Sequence, residues 1–233
     1  FNDAGFLYGD GLFETIRFDN KKPFRLKKHI NRLVNGCKVL QLILDTDEKQ
    51  LESIVFGMID NNTMENGLIR LMVTRGTISG APWNYTGPVG LYALIRPFTS
   101  DPELPVKIVY YQESKYPIIR FNPAVKSMNY LGNLLAKKDA EKVNAYEPVF
   151  INKEGHITEC AIRNIFYIKD DKLITPDLSL GILPGVMRDT IIEITQLINL
   201  EVIETQINFS DINQMEEAFI SSTGIGLYPC YWD

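Results

Sequence analysis

The hydrophobic period of this chain changes early, and that change narrows the folds open to it. Leu12-Phe13-Glu14-Thr15-Ile16-Arg17-Phe18 alternates apolar and polar side chains, the period of a half-buried strand. Leu26, Ile30, Leu33, Val34, Cys37 and Leu40 then recur at three- and four-residue spacing, which predicts an amphipathic helix. A second helix is predicted from Thr46-Asp47-Glu48, carrying Leu51, Ile54, Val55, Met58 and Ile59 on one face. Strand signals return at residues 68–74 and 90–95, separated by a Gly- and Pro-rich loop at 76–87. Such a chain is neither all-helical nor all-β.

Residues 97–105, with proline, serine and acids, have the composition of a linker. Beyond them the pattern predicts a strand at 107–112 and a helix from about 129 to 143. A hairpin-rich stretch covers 149–151, 157–159, 165–168 and 173–174, with turns at Lys153-Glu154-Gly155 and Asp170-Asp171. A helix opens at Leu183-Pro184-Gly185 and runs to about 198. A strand at 201–207, a short helix from Asp211 and a last strand at 218–221 complete the pattern. The expected class is α+β in two lobes: a small α/β lobe at 1–96, the linker at 97–105, and a larger β-rich lobe with helices at 106–233.

Composition removes several functions. The chain has 233 residues, enough for a substantial core, and 24 Lys+Arg against 29 Asp+Glu give a net charge of −5. No basic surplus exists to displace phosphate counterions, so nucleic acid is not an expected partner. Cys37, Cys160 and Cys230 are odd in number with no CxxC, the usage of reduced thiols in a cytoplasmic protein. With only two His, no metal site is expected. No apolar run is long enough to span a membrane, and no signal peptide is visible. The chain opens directly on Gly5-Phe6-Leu7-Tyr8-Gly9-Asp10-Gly11, which suggests that preceding sequence is missing.

Four places could carry chemistry. Lys126 precedes a helix, with apolar Val125 and Met128 beside it and no acid among its sequence neighbours. Most such lysines are solvated, but an amine held among apolar groups is disfavoured in its charged form and suits Schiff-base chemistry. Glu159 lies in a strand-forming segment. It is either an acid on a wet sheet face paired with Arg163, or a buried carboxylate holding a cationic ring nitrogen. Gly181-Ile182-Leu183-Pro184-Gly185-Val186-Met187-Arg188 is ordinary helix-start chemistry and equally a set of backbone N–H groups open to an anion. Phe219-Ile220-Ser221-Ser222-Thr223-Gly224 runs a strand into hydroxyls that could meet a phosphate, or form a plain turn.

Taken in order, five motifs point one way. They are Gly9-Asp10-Gly11-x-Phe13-Glu14-Thr15-Ile16-Arg17, His29-Ile30-Asn31-Arg32-Leu33, Lys126-Ser127-x-Asn129-Tyr130-Leu131, Thr158-Glu159 with Asn164-Ile165-Phe166, and Leu183-Pro184-Gly185-Val186-x-Arg188. Together they resemble the class IV aminotransferases. These are the fold-type IV pyridoxal-phosphate enzymes, which include branched-chain aminotransferases, D-amino-acid aminotransferases and aminodeoxychorismate lyases. The resemblance implies that the larger lobe binds pyridoxal 5'-phosphate. It makes Lys126 the lysine that forms the Schiff base and moves the proton, and Glu159 the partner of the pyridine nitrogen. Arg32, the backbone of Val186 and Met187, and Thr223 with Ser222 correspond to the phosphate site. Tyr130 corresponds to the tyrosine that meets the phenolic oxygen. Where relatives often carry Gly-Ile-Thr-Arg, this chain has Gly185-Val186-Met187-Arg188, which loses a hydroxyl but no backbone donor. The 76–87 loop and the 120–125 approach to the lysine are short for the family.

Substrate-binding candidates also follow from the resemblance. Tyr8 matches a pocket tyrosine of the branched-chain enzymes, and Phe13 stands where D-amino-acid enzymes place a tyrosine. Arg70 matches an arginine that meets glutamate's side-chain carboxylate in the branched-chain group. Arg75, in Val73-Thr74-Arg75-Gly76, matches the carboxylate-binding arginine of the D-amino-acid enzymes. A structural ion pair is the competing reading for each arginine. The expected activity is amino transfer from an aliphatic, branched-chain-like amino acid to a 2-oxo acid, with D-amino-acid transfer or lyase chemistry as alternatives. A homodimer is the family's usual assembly.

Overall fold

The computed structural model describes residues 2–81, 83–84, 87–98 and 101–233. Pro82, Tyr85 and Thr86 of the expected loop, and Thr99 and Ser100 of the expected linker, lie outside the described residues. The chain folds as two compact units. One is Phe1–Ser100 with Val125–Asn129, and the other is Asp101–Ala124 with Tyr130–Asp233. Residues 125–129 therefore belong to the first unit, not to the second as a single cut at 97–105 implies. The reason is backbone pairing, which reaches past the sequence boundary.

The first unit runs α1 (Ala4–Tyr8), β1 (Gly11–Asp19), β2 (Lys22–Pro23), α2 (Leu26–Val39), α3 (Glu48–Asp60), β3 (Gly67–Thr74) and β4 (Gly90–Arg96), of which β1, α2, α3, β3 and β4 fall on the predicted segments. The strands form one antiparallel sheet in the order β2-β1-β3-β4. Leu12, Ile16 and Phe18 on β1 join Ile69, Leu71 and Val73 on β3 under Ile30, Leu33 and Cys37 of α2 and Leu51, Val55 and Ile59 of α3. Each such fully buried aliphatic contributes about 1.5–3 kcal/mol. Helix α3 starts where Asp47 accepts from the Gln50 N–H at 2.8 Å while the Gln50 side chain accepts from the Asp47 N–H at 2.8 Å, a reciprocal capping box.

Helix α1 is absent from the sequence expectation, which reads the segment as a turn. Asp3 creates it by accepting from the N–H groups of Gly5 and Phe6. Gly9 closes it at φ 67°, a left-handed conformation that favours glycine.

The second unit contains β5 (Val106–Gln112), α4 (Leu131–Lys142), β6 (Glu147–Ile151), β7 (His156–Cys160), β8 (Asn164–Lys169), β9 (Lys172–Pro176), α5 (Val186–Leu197), β10 (Val202–Thr205), β11 (Ile207–Asn208), β12 (Glu217–Ser222) and β13 (Gly226–Tyr231). They make a nine-stranded mixed sheet, β10-β9-β8-β12-β13-β5-β6-β7-β11. Strand β8 is buried on both faces. Ile165 and Tyr167 pack with Val149, Ile157 and Ile220, whereas Phe166 packs with Leu173 and Ile191 of α5. Phe166 stacks on Phe219 at 4.9 Å between ring centroids. Ala136 of α4 packs with Phe150 and Ala161.

Three local corrections follow. The expected strand at 201–207 is two strands, because β10 pairs with β9 and β11 with β7. The expected helix from Asp211 is a single 3-10 segment, Phe209–Gln214. Helix α5 starts one step later than Pro184, with Gly185 as its N-cap. All three cysteines are free thiols and buried. Among the described residues, no helix is long and apolar enough to cross a membrane, and no group of three or more His, Cys, Asp or Glu could hold a metal ion.

Replacing Asp47 with alanine removes one half of the capping box. The expected cost is about 1 kcal/mol in denaturant unfolding, with the m-value unchanged.

Candidate active site

In the first unit the site begins with how β1 holds the strip 125–129. The Phe13 N–H donates to the Lys126 carbonyl at 3.0 Å, and the Met128 N–H donates to the Gly11 carbonyl at 2.9 Å, an antiparallel bridge centred on Leu12 and Ser127. Asn129 adds a bond from Nδ2 to the Gly9 carbonyl, 3.1 Å. The lysine is thus fixed by a strand more than by its own helix. Its Nζ lies 4.5 Å from the centroid of the Phe13 ring, and the Arg70 guanidinium carbon lies 3.9 Å from the same centroid. Arg70 reaches this ring because it is opposite Thr15 in the β1–β3 register, a diagonal neighbour of Phe13 on one sheet face. Phe13, Lys126 and Arg70 are therefore brought together.

Arg32 is held elsewhere. Strand alternation turns Glu14 to the face opposite Phe13, beneath α2. There the buried Glu14 carboxylate accepts from Arg32 Nε at 2.7 Å and Arg32 Nη2 at 2.7 Å, and its Oε2 lies 2.7 Å from His29 Nδ1. Burial alone raises the Glu14 pKa. The Arg32 charge and the hydrogen bonds of His29 and Arg32 outweigh it, bringing the carboxyl from 4.5 down to about 2. Arg75 is committed to structure: its Nε and Nη2 hold Asp10 at 2.6 and 3.2 Å, and Nη2 and Nη1 donate to the Leu40 and Gln41 carbonyls at 2.8 and 3.1 Å. Tyr8 lies on α1 and is 55% exposed.

In the second unit Glu159 is the centre. One oxygen is paired with Arg120 Nη1, and the other accepts from the Leu183 N–H at 3.1 Å. Arg120 is braced in turn by Glu113 Oε1 at 2.7 Å and Thr158 Oγ1 at 3.2 Å. Burial lowers the Arg120 pKa, but the charges of Glu159 and Glu113 reverse this and raise it, so the cation persists. Arg163, the alternative partner for Glu159, goes instead to the buried Glu147.

The segment that reaches Glu159 also leads into α5. Asn164 Nδ2 donates to the Leu183 carbonyl at 3.0 Å, and a Cβ on Gly185 would lie 2.1 Å from Asn164 Oδ1, so only glycine fits this approach. No side chain caps α5, and its first intrahelical bond runs from the Asp189 N–H to the Gly185 carbonyl. The N–H groups of Val186 and Met187 precede that bond and point out of the first turn. Asn164 faces Ser221 across the β8–β12 pair, so both side chains share a sheet face. Ser221 Oγ is buried without a hydrogen-bond partner. Ser222 is half-buried and Thr223 buried at the end of the same strand. Tyr130 is the N-cap residue of α4, half-buried.

Three residues of this geometry, Glu14, Ser221 and Arg120, are not among the candidates the sequence offers. Glu14 is a carboxylate in the apolar register of β1, a signal open to view. Ser221 is one residue before Ser222 and Thr223, the two hydroxyls expected at a phosphate. Arg120 carries no sequence signal, since its partners come from other segments.

With that geometry in place, comparison with known proteins decides the family. The family model for amino-transferase class IV matches residues 11–231. The chain belongs to the class IV aminotransferases. A Methanocaldococcus jannaschii protein carrying a branched-chain-amino-acid aminotransferase name is 31% identical over 98% of this chain and 80% of its own. The D-alanine aminotransferase of Listeria monocytogenes is 30% identical, covering 97% of this chain and 79% of its own. A crystal structure from Legionella pneumophila, carrying a 4-amino-4-deoxychorismate lyase name, superposes with a TM-score of 0.90 at 26% identity, covering 99% of this chain and 85% of that one. This class IV aminotransferase thus has the α+β fold of the fold-type IV pyridoxal-phosphate enzymes.

The Glu14 cluster gives the class IV chain a pH signature. A carboxyl whose folded pKa is depressed contributes stability that is fully present above its unfolded value, near 4.5, and is lost as pH falls toward about 2. Denaturant unfolding between pH 5 and 2 is expected to show a loss of about 3 kcal/mol from this group. Glu14→Gln should flatten that part of the profile.

Proposed function

We propose that this chain is a pyridoxal-phosphate-dependent aminotransferase that moves the amino group of an aliphatic, branched-chain-like L-amino acid to a 2-oxo acid. The family is pyridoxal-phosphate dependent, and the donor set of this chain fits that cofactor. An unpartnered buried hydroxyl, Ser221, on the sheet face that holds Asn164, together with the uncapped first turn of α5, suits a phosphate. Val186, Met187, Ser222 and Thr223 would hold it there, with Arg32 as its cationic contact. Glu159 suits a protonated ring nitrogen, because Arg120 and the Leu183 N–H fix the direction of its carboxylate. Tyr130 would meet the phenolic oxygen.

Pyridoxal phosphate, when bound, supplies an aldehyde carbon that takes up amines and a ring that draws electrons from the bond to be broken. The chain supplies the rest. Lys126 would hold the cofactor through its amine, and its Nζ would carry the proton from the α-carbon of the donor amino acid to the cofactor's aldehyde carbon, and in the reverse direction to the α-carbon of the accepting 2-oxo acid. Phe13 covers that amine on one side. Glu159 would keep a proton on the ring nitrogen. Tyr8 and Phe13 would bound the substrate side chain.

What Arg75 does carries the substrate class. A D-amino-acid reading assigns Arg75 to the substrate carboxylate, yet here its donors are engaged by Asp10, Leu40 and Gln41. Arg70, lying over the Phe13 ring beside Lys126, is the better placed receptor for a carboxylate such as that of glutamate or 2-oxoglutarate. Phe13 in place of tyrosine also suits an apolar side chain.

The test is a half-reaction screen in which the cofactor spectrum of the holoenzyme is followed after mixing with L-leucine, D-alanine or aminodeoxychorismate. L-leucine is expected to convert the lysine-bound cofactor to its aminated form. Conversion by D-alanine alone, or pyruvate release from aminodeoxychorismate, would replace this reading with the corresponding alternative. Lys126→Ala should abolish the lysine-bound absorbance and turnover together. The proposal includes a homodimer in solution, for which light scattering should give twice the mass of the chain.

A further inference from the structure

The segment 181–185 that leads into α5 belongs to no helix or strand, and Pro184 within it has no N–H to give. Backbone of this kind has to be held by side chains. Both backbone groups of Leu183 are held in that way. Its N–H donates to Glu159 Oε2 at 3.1 Å, and its carbonyl accepts from Asn164 Nδ2 at 3.0 Å. The two side chains come from one place: Glu159 is in β7 and Asn164 opens β8, at either end of a turn closed by the Cys160 N–H on the Arg163 carbonyl at 2.9 Å. That turn is fixed in its own right, through the Ala161 N–H on the Pro148 carbonyl at 3.1 Å and the Ile162 N–H on the buried Glu147 carboxylate at 2.9 Å. Asn164 is buried, and a Cβ on Gly185, the N-cap of α5, would meet its Oδ1 at 2.1 Å. One amide therefore sits wedged between the carbonyl of Leu183 and the start of the helix. Across the β8–β12 pair it faces Ser221, whose buried Oγ has no hydrogen-bond partner.

We infer that Asn164 is a positioning residue, which through Leu183 and Gly185 ties the Glu159 carboxylate and the open first turn of α5 into one frame, so that the two ends of the cofactor site keep a fixed spacing. This rests on the reading given above, in which Glu159 meets the ring nitrogen and the α5 turn meets the phosphate. A rigid ligand that carries both groups gains from a site whose two partners are already spaced when it arrives. A ligand with only one of the groups settles on its own partner and gains nothing from the spacing. That difference separates the role from general support of the fold, which would affect every ligand alike.

The experiment measures the affinity of the full chain, freed of cofactor, for three ligands: pyridoxal phosphate, pyridoxal, which lacks the phosphate, and the 1-deaza analogue of pyridoxal phosphate, in which carbon replaces the ring nitrogen. Fluorescence quenching reads all three, and thermal unfolding checks that each variant is folded. Glu159→Gln should lower only the preference over the deaza analogue, and Ser221→Ala only the preference over pyridoxal. Asn164→Ala should lower both, weakening pyridoxal phosphate by about fivefold or more and each analogue by less than about twofold. Asn164→Asp keeps the shape but turns an acceptor toward the Leu183 carbonyl, and should show the same paired loss where Asn164→Ala is too unstable to purify. Gly185→Ala drives a Cβ against the amide and should reproduce the loss with Asn164 in place. Asn164 variants that weaken all three ligands equally, or that lower one preference and leave the other, would overturn the shared frame while the reading of the site stands. A wild-type chain that prefers pyridoxal phosphate to neither analogue would remove that reading, and the inference with it.

Discussion

Burying a carboxylate obliges the chain to bring a cation with it, and much of this structure answers that constraint. Glu14 takes Arg32, Glu159 takes Arg120, and Glu147 takes Arg163. In each case backbone or neighbouring side chains use the remaining lone pairs: His29 at Glu14, the Leu183 N–H at Glu159, the Ile162 N–H at Glu147. Low dielectric makes these pairs strong when complete and costly when broken. They also set directions. An arginine tied at one side has few orientations left for the other.

The second consequence is selectivity among similar residues. Arg70 and Arg75 lie five residues apart in one segment and look equivalent as candidate carboxylate receptors. The fold separates them. Asp10 and the end of α2 draw Arg75 away, while the sheet face leaves Arg70 over an aromatic ring next to Lys126. A polar side chain's meaning is set by what tertiary structure has already spent it on.

Periodicity makes most of the fold legible. The alternation at 12–18, the helical stripes at 26–40 and 51–59, and the hairpins around Gly155 and Asp170-Asp171 all fall on observed elements. What escapes has physical reasons. Strand β13 contains Pro229, which lacks an N–H and argues against a strand, yet it pairs opposite Phe219 on β12. β10 and β11 share one apolar run because their partners differ, and no local pattern records a choice of partner. For the site, motif order points to Lys126 and Glu159, but Arg120 is invisible: Glu113 and Glu159 meet it only after the sheet forms. Glu14 is legible in principle, since an acid in an apolar register demands a reason.

The strip 125–129 has a consequence for how the chain comes to be folded. Its bonds to Gly9, Gly11 and Phe13 join residues far apart in sequence, and the loop closed between them includes the whole of α2, α3, β3 and β4. Loop-closure entropy for such a contact must be met before it stabilises anything, so this part of the first unit forms late. During synthesis the N-terminal hundred residues can collapse around their own helices, but the Phe13 N–H waits for a carbonyl that has not yet been made. The last piece of the first unit to arrive is therefore the strip that carries the lysine.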